Sequence, residues 1–352
     1  MPGLHHLLAR SFKDVIPRFK SMQGYDVPRK AGWDTHGLPV EIQAEKELGL
    51  SGKADIEKYG IAEFNAKCRE LVWRYKTEFE TAITTRLGFW VDLEHPYITY
   101  ENSYIESLWW IIAQLHKKKL LYQGHKIVPW CTRCGTALSS HELAQGYKEV
   151  EDASVYVKFR LTPASAKKLA SLFKSKSYVA PTGAMQDNLK QNSIFVLSWT
   201  TTPWTLPGNV ALAVGEKIEY SVIQSGDQLC VLATERVATL FPDSSKFLVL
   251  GSISGKDLVG LNYEPLFAVK SLKSQKSYKI YAADFVTTTD GTGVVHTAVM
   301  YGEDDYALGV KIGLPQHHTV NEQGHFIKEV KELSGLYARS NKAAAVIFEH
   351  LT

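Results

Sequence analysis

The chain has 352 residues, 45% of them hydrophobic and 22% charged, an ordinary globular composition with enough length for two domains. Forty Lys and Arg against thirty-seven Asp and Glu leave a formal net charge of +3, far from the dense basic footprint by which charge alone argues for nucleic acid. Four unevenly spaced cysteines, no apolar run of bilayer length and a start without basic and apolar leader regions point away from a disulfide framework, a membrane protein and a secreted one, so the chain reads as cytoplasmic.

Over residues 7–22 the apolar side chains Leu7, Leu8, Phe12, Val15, Ile16 and Phe19 recur at helical spacing, with Pro17 predicting a kink and Gly24 a stop. Residues 27–31 read as a short extended segment leading into Gly32-Trp33-Asp34-Thr35-His36-Gly37. Phe64, Cys68, Leu71, Val72, Tyr75, Phe79, Ala82 and Ile83 predict one long amphipathic helix, and Ile105, Leu108, Trp109, Ile112 and Leu115 predict another. Cys131-Thr132-Arg133-Cys134-Gly135 forms a tight knuckle. After about Tyr147 the pattern changes to strand-type runs at 154–159, 194–199, 210–214, 220–224 and 229–233, with Ser225-Gly226-Asp227 predicting a hairpin turn. That change of period marks a domain boundary, and the strand-rich region is expected to extend to about Phe326. Lys174-Ser175-Lys176-Ser177 reads as a solvated loop.

Three segments carry chemistry. In Lys30-Ala31-Gly32-Trp33-Asp34-Thr35-His36-Gly37-Leu38-Pro39-Val40-Glu41, a carboxylate at the end of a strand can pair with a substrate ammonium, which singles out Asp34; the plainer reading is a strand-to-helix turn. Ser198-Trp199-Thr200-Thr201-Thr202-Pro203-Trp204-Thr205-Leu206-Pro207-Gly208-Asn209 offers a row of hydroxyls able to hold a ribose hydroxyl or a water, although a bare threonine run usually means only a strand. The third is Thr289-Asp290-Gly291-Thr292-Gly293-Val294-Val295-His296-Thr297-Ala298, followed by Tyr301-Gly302-Glu303-Asp304-Asp305-Tyr306. Alone, its histidine reads as a core residue and its carboxylates as a solvated helix start. Cys131 and Cys134 supply half of a tetrahedral zinc site.

Together, and in this order, the three segments resemble the landmarks of isoleucyl-tRNA synthetases, which are class I aminoacyl-tRNA synthetases, and the resemblance runs from about Leu7 to the end of the sequence. The first looks like the family's amino-acid pocket at the carboxyl end of a Rossmann strand, and so implies Trp33, Asp34 and His36 as substrate-binding residues, with Asp34 on the isoleucine amino group. The second resembles the threonine-rich peptide of the editing pocket, which implies Thr200, Thr201 and Thr202 as catalytic and Trp204 and Thr205 as substrate-binding; its Pro-Trp-Thr continuation is the isoleucyl form. The third looks like the opposite wall of that pocket, which implies that Asp305 binds the amino group of a misattached amino acid and His296 faces its side chain. Val299 departs from the family's proline and is expected to shift the loop bearing Asp305.

The implied fold is α/β: a partial Rossmann-type catalytic segment with a helical stem and knuckle over 1–146, an inserted β-barrel-like editing domain over 147–335, and a segment returning to the catalytic domain over 336–352. The family reaction is ATP-dependent attachment of isoleucine to its tRNA with hydrolytic editing of mischarged valine. This implies ATP and zinc as cofactors, the acceptor end of isoleucine tRNA, isoleucine and valine as partners, no membrane, and a monomer. Of the family's His-x-Gly-His nucleotide motif only His6 matches, because Gly3 and His5 stand out of place, and the strand before it and a Lys-Met-Ser-Lys-Ser loop are not in this sequence. The chain is therefore expected to keep editing and to show no isoleucine-dependent pyrophosphate exchange. Two alternatives are a non-catalytic module that binds the tRNA acceptor end and a truncated fragment that folds poorly; persistence of the threonine peptide, His296 and Asp305 favours catalysis.

Overall fold

A computed structural model describes residues 3–144, 146–175 and 194–352. The chain divides into two compact units, Met1–His125 and Lys126–Thr352.

The first unit is mainly helical. Its opening helix, Leu4–Met22, stays helical through Pro17 and ends two residues before Gly24, whose φ of 87° is one that glycine tolerates. Strand β1 (Lys30–Trp33) pairs in parallel with β2 (Asp92–Ile98). A parallel pair needs a long crossover, and the helices Leu38–Leu48, Lys53–Tyr59 and Ile61–Tyr75 lie in it. Gly32 is required at this pairing, since a Cβ there would collide with the Tyr97 ring. Ala44, Phe64 and Leu71 form a small core, against which Leu48, Ile56 and Cys68 pack. The single long helix expected from Phe64 to Ile83 is interrupted: an α-helix over Ile61–Tyr75 passes into a π-helical turn at Lys76–Thr81 and resumes at Ala82–Leu87. Past the turn the buried residue is Thr84 while Ala82 is exposed, a change of phase that the regular apolar spacing of the sequence does not register.

The second unit holds the larger core. After the knuckle strands β3 (Trp130–Cys131) and β4 (Thr136–Ala137) come β5 (Val155–Arg160), β6 (Ile194–Thr200), β7 (Ala211–Val214), β8 (Glu219–Ser225), β9 (Gln228–Ala233), β10 (Leu248–Ser254), β11 (Lys279–Ala282) and β12 (Val294–Thr297). Each of the five predicted strand runs falls within a residue of its observed strand at both ends. One sheet has the order β10-β8-β9-β6-β5 and the other β11-β7-β12. The β8–β9 hairpin turns at Gly226 (φ 56°), as the Ser-Gly-Asp sequence predicts.

Strands β6 and β12 belong to different sheets and are tied together by side chains. Ser198 Oγ donates to the Val294 carbonyl at 2.8 Å, and Thr292 Oγ1 donates to the Leu197 carbonyl at 2.7 Å. Gly293, at φ 73°, lets this seam close, because a Cβ there would run into that of Ala233. Beneath the seam Phe159, Val196, Leu212, Val214, Val231 and Tyr263 are buried in one cluster, which also takes in Ala343 and Ile347 of the helix Asn341–Leu351. Lys174 and Ser175, expected in a solvated loop, instead end the helix Pro163–Ser175; Lys176 and Ser177 lie outside the described residues.

Candidate active site

The ends of β6 and β12 open into a cavity of about 230 Å³ lined by Thr200, Thr201, Thr202, Thr205, His296 and Asp305, with Trp199, Val295, Ala298 and Tyr301 completing its wall. Three separate stretches of sequence thus converge on one site. The threonine peptide leaves β6 at Thr200 and turns at once into a short 3-10 helix, Pro203–Gly208, in which Pro203 and Pro207 pre-set the backbone. Thr200 and Thr205 are buried, while Thr201 and Thr202 are exposed. Thr200 Oγ1 accepts from the Thr202 amide at 3.1 Å and lies 3.2 Å from the Thr202 hydroxyl, which fixes the turn and points the hydroxyls the same way.

His296 sits on β12, buried against the 3-10 helix. Its Nε2 lies 2.8 Å from Thr205 Oγ1, and the Thr205 hydroxyl donates onward to the Thr202 carbonyl at 2.8 Å. Burial pushes the imidazole down to about 4, so it is neutral at physiological pH.

Asp305 lies in the first turn of the helix Glu303–Ile312, where the helix dipole favours an anion. Gly302 permits its side chain to fold back, since a Cβ there would collide with Asp305 Oδ2. Oδ1 is buried and has no hydrogen-bond partner among the described residues. Burial, followed by the charge of Asp304, pushes this carboxyl up to about 7, with the Thr297 hydroxyl pulling the other way. A buried carboxylate oxygen with nothing to accept from is suited to a cation supplied from outside. Val299 is buried and fills the space over Gly309 on the same helix.

One wall residue, Tyr301, was given no role by the sequence, and Trp204, expected to bind substrate, packs behind it. Tyr301 is clamped by its hydroxyl, which accepts from the Thr319 amide at 2.7 Å and the Val320 amide at 3.1 Å. Trp204 does not line the cavity but meets the Tyr301 ring edge-on, with centroids 5.0 Å apart.

The other sequence-predicted residues, Cys131 and Cys134 apart, lie in the first unit. Asp34 is exposed at the carboxyl end of β1, and its Oδ1 is 3.4 Å from the His36 amide. Thr99 pins this loop: its hydroxyl accepts from the Thr35 amide at 3.0 Å and lies 3.3 Å from His36 Nδ1, while its amide donates to the Trp33 carbonyl at 3.1 Å. The indole Nε1 of Trp33 is buried without a hydrogen-bond partner among the described residues. His6 is exposed in the first turn of the helix Leu4–Met22, where its Nδ1 accepts from the Gly3 amide at 2.9 Å. That bond caps the helix, and of the family's His-x-Gly-His nucleotide motif His6 is the position that matches.

In the Cys131-Cys134 knuckle the Cys134 amide donates to Cys131 Sγ at 3.3 Å. Tetrahedral zinc takes four ligands. Among the described residues no group of three His, Cys, Asp or Glu side chains is placed to hold a metal, so the residues present do not make a zinc site by themselves. No helix among the described residues is long and apolar enough to cross a membrane.

Comparison with known proteins shows the family. The family model for class I tRNA synthetases (I, L, M and V) matches residues 2–337. The chain is 45% identical over 99% of its length to an isoleucine–tRNA ligase of Dehalococcoides mccartyi, of which it covers 35%, and 45% identical over 99% of its length to that of Clostridium acetobutylicum, of which it covers 30%. The Thermus thermophilus isoleucine–tRNA ligase is likewise 45% identical over 98% of the chain, which covers 30% of it. The chain thus spans about a third of the length of the curated relatives it matches. Among solved structures, the editing domain of the P. knowlesi cytosolic leucyl-tRNA synthetase aligns with 46% of this chain and 63% of its own at 17% identity and a TM-score of 0.35, a likeness too weak to bear on the fold. The chain belongs to the class I tRNA synthetases, and its sequence is of the isoleucyl type.

Proposed function

We propose that the cavity between β6 and β12 is a hydrolytic editing site, and that its substrate is the ester joining a wrong amino acid, valine first, to the acceptor end of isoleucine tRNA. The observation that carries this reading is the meeting around one opening of Thr200, Thr201, Thr202, His296 and Asp305, whose buried Oδ1 has no hydrogen-bond partner among the described residues. Asp305 anchors the ammonium of the amino acid, and the arriving cation draws the carboxyl back into its ionised form. The exposed hydroxyls of Thr201 and Thr202 hold the ribose and a water. The water attacks the ester carbonyl, the bond to the ribose oxygen breaks, and that oxygen leaves with one of the water's protons.

No protein nucleophile is needed, and His296 is not placed to be the general base: Thr205 and Asn209 occupy its two ring nitrogens. The need for such a site is energetic. One methylene is worth only about 1 to 3 kcal/mol of discrimination, a limit for which isoleucyl-tRNA synthetases are themselves the standard example.

By the same family membership, Asp34, Trp33 and His36 mark an isoleucine pocket for the ATP-dependent charging reaction of the relatives. The editing reading is tested by incubating the purified chain with valyl-tRNA of the isoleucine type. Release of valine above the uncatalysed rate, lost in Asp305→Ala, supports it. Binding of that tRNA without hydrolysis would favour the acceptor-end binding module instead.

A further inference from the structure

Behind His296 lies a buried line of hydrogen bonds with no role in the chemistry just described. Tyr263 is 2% exposed, and its hydroxyl donates to Asn209 Oδ1 at 2.6 Å. Asn209, also buried, uses its amide nitrogen twice, donating to the Ala211 carbonyl at 2.9 Å and lying 3.5 Å from His296 Nδ1. His296 Nε2 meets Thr205 Oγ1, and Thr205 donates to the Thr202 carbonyl.

The direction of each bond follows from the chemistry of its ends. The Ala211 and Thr202 carbonyls can only accept. Facing Ala211 with its NH₂, Asn209 must turn its oxygen to Tyr263 and its second N–H to His296 Nδ1. The ring nitrogen facing that N–H is therefore the unprotonated one, and the proton sits on Nε2, directed at Thr205. With its own hydrogen committed to Thr202, Thr205 is ready to accept it. The line thus runs in one direction, from the Tyr263 hydroxyl and the Asn209 amide through His296 and Thr205 to the Thr202 carbonyl.

We propose that Tyr263 is a positioning residue: acting through Asn209, it holds His296 as the Nε2–H tautomer and so fixes the polarity of the Thr205 wall of the cavity. The inference rests on the editing reading for its effect on catalysis, but not for its structural content. Burial keeps the tyrosine protonated, raising its hydroxyl well above the usual range, and keeps the imidazole neutral, so neither end of the line ionises at physiological pH. Removing the tyrosine hydroxyl leaves Asn209 Oδ1 buried without a donor. The amide then relaxes toward another partner and loosens its hold on Nδ1.

The test uses the full chain labelled with ¹⁵N-histidine. The ring-nitrogen shifts of His296, assigned by their loss in His296→Gln, report the tautomer directly. Wild type is expected to show Nε2–H alone and Tyr263→Phe a mixture of tautomers. Asn209→Asp presents acceptors only, and is expected to move the proton to Nδ1. Valyl-tRNA hydrolysis should fall about tenfold to a hundredfold in Tyr263→Phe, the effect expected of displacing a pocket wall. A mixed tautomer in wild type, or an unchanged Nε2–H tautomer in Tyr263→Phe, would overturn the proposal. If Tyr263→Phe fails to fold, the ¹⁵N shift of the Asn209 side-chain amide in wild type, assigned by its loss in Asn209→Asp, still decides the Tyr263 link: an amide exchanging between two orientations instead of one held by the Tyr263 hydroxyl would overturn it. If wild type shows the expected tautomer but no hydrolysis, the editing reading fails while the positioning role stands.

Discussion

Replacing Asp305 by Asn should make the protein more stable at pH 8 while destroying the proposed activity. The carboxyl is raised from 3.8 to about 7 by burial and by Asp304, so the folded state holds its proton across a range in which the unfolded chain has lost it. Stability therefore declines as pH rises above 3.8, and the penalty is complete above about pH 7. A displacement of that size corresponds to about 4 kcal/mol at pH 8, of which about 2.5 kcal/mol sets in between pH 5 and pH 8. Asp305 is half-buried, so these are upper figures. Asn has nearly the shape of a protonated Asp and escapes the penalty. Urea denaturation of wild type and Asp305→Asn at pH 5 and pH 8 measures it: the stability gap should widen in favour of the variant by roughly 1 to 2.5 kcal/mol from the lower pH to the higher. A gap independent of pH, or a variant less stable at pH 8, would refute the reasoning.

His296 is displaced the opposite way, from 6.5 down to about 4, so its contribution is whole above pH 6.5 and is lost as pH falls through about 4. Between these limits its slope offsets that of Asp305. Wild-type stability should therefore be nearly flat from pH 4 to 6.5, whereas His296→Gln unmasks a decline with rising pH and Asp305→Asn a rise, each read from denaturant midpoints. Gly309→Ala should cost about 1 to 3 kcal/mol, because its Cβ would come within 2.6 Å of a Val299 methyl on the helix that carries Asp305. Adding Val299→Ala should recover most of that loss in thermal melts; additive losses would place the clash elsewhere. A strong chelator should leave Tm unchanged, since the Cys131-Cys134 knuckle brings only two thiols, and a fall of several degrees would show ligands that the knuckle geometry does not account for.

Much of the second unit was legible in the sequence because its strands alternate or run apolar between turn residues, and β5 to β9 fall where the period changes. The threonine peptide, His296 and Asp305 were legible as residue types in a known order, and the fold brings them to one opening. What was not legible depends on contacts between distant residues. Tyr263 reads as one more core aromatic until the fold sets it 54 positions back against Asn209. The unpartnered state of Asp305 Oδ1 is a property of its surroundings, and nothing in Glu303-Asp304-Asp305 announces it. The π-turn at Lys76–Thr81 is hidden for a different reason: regular apolar spacing reads straight through it, while past the turn the buried residue is Thr84 and Ala82 is exposed.

The central claim is most directly tested by single-turnover hydrolysis of valyl-tRNA of the isoleucine type, comparing wild type with Asp305→Asn at pH 7.5. Wild type is expected to release valine faster than the uncatalysed ester, and the variant to fall to background despite its greater stability. Equal rates in the two proteins, or no release by a folded wild type, would contradict the account.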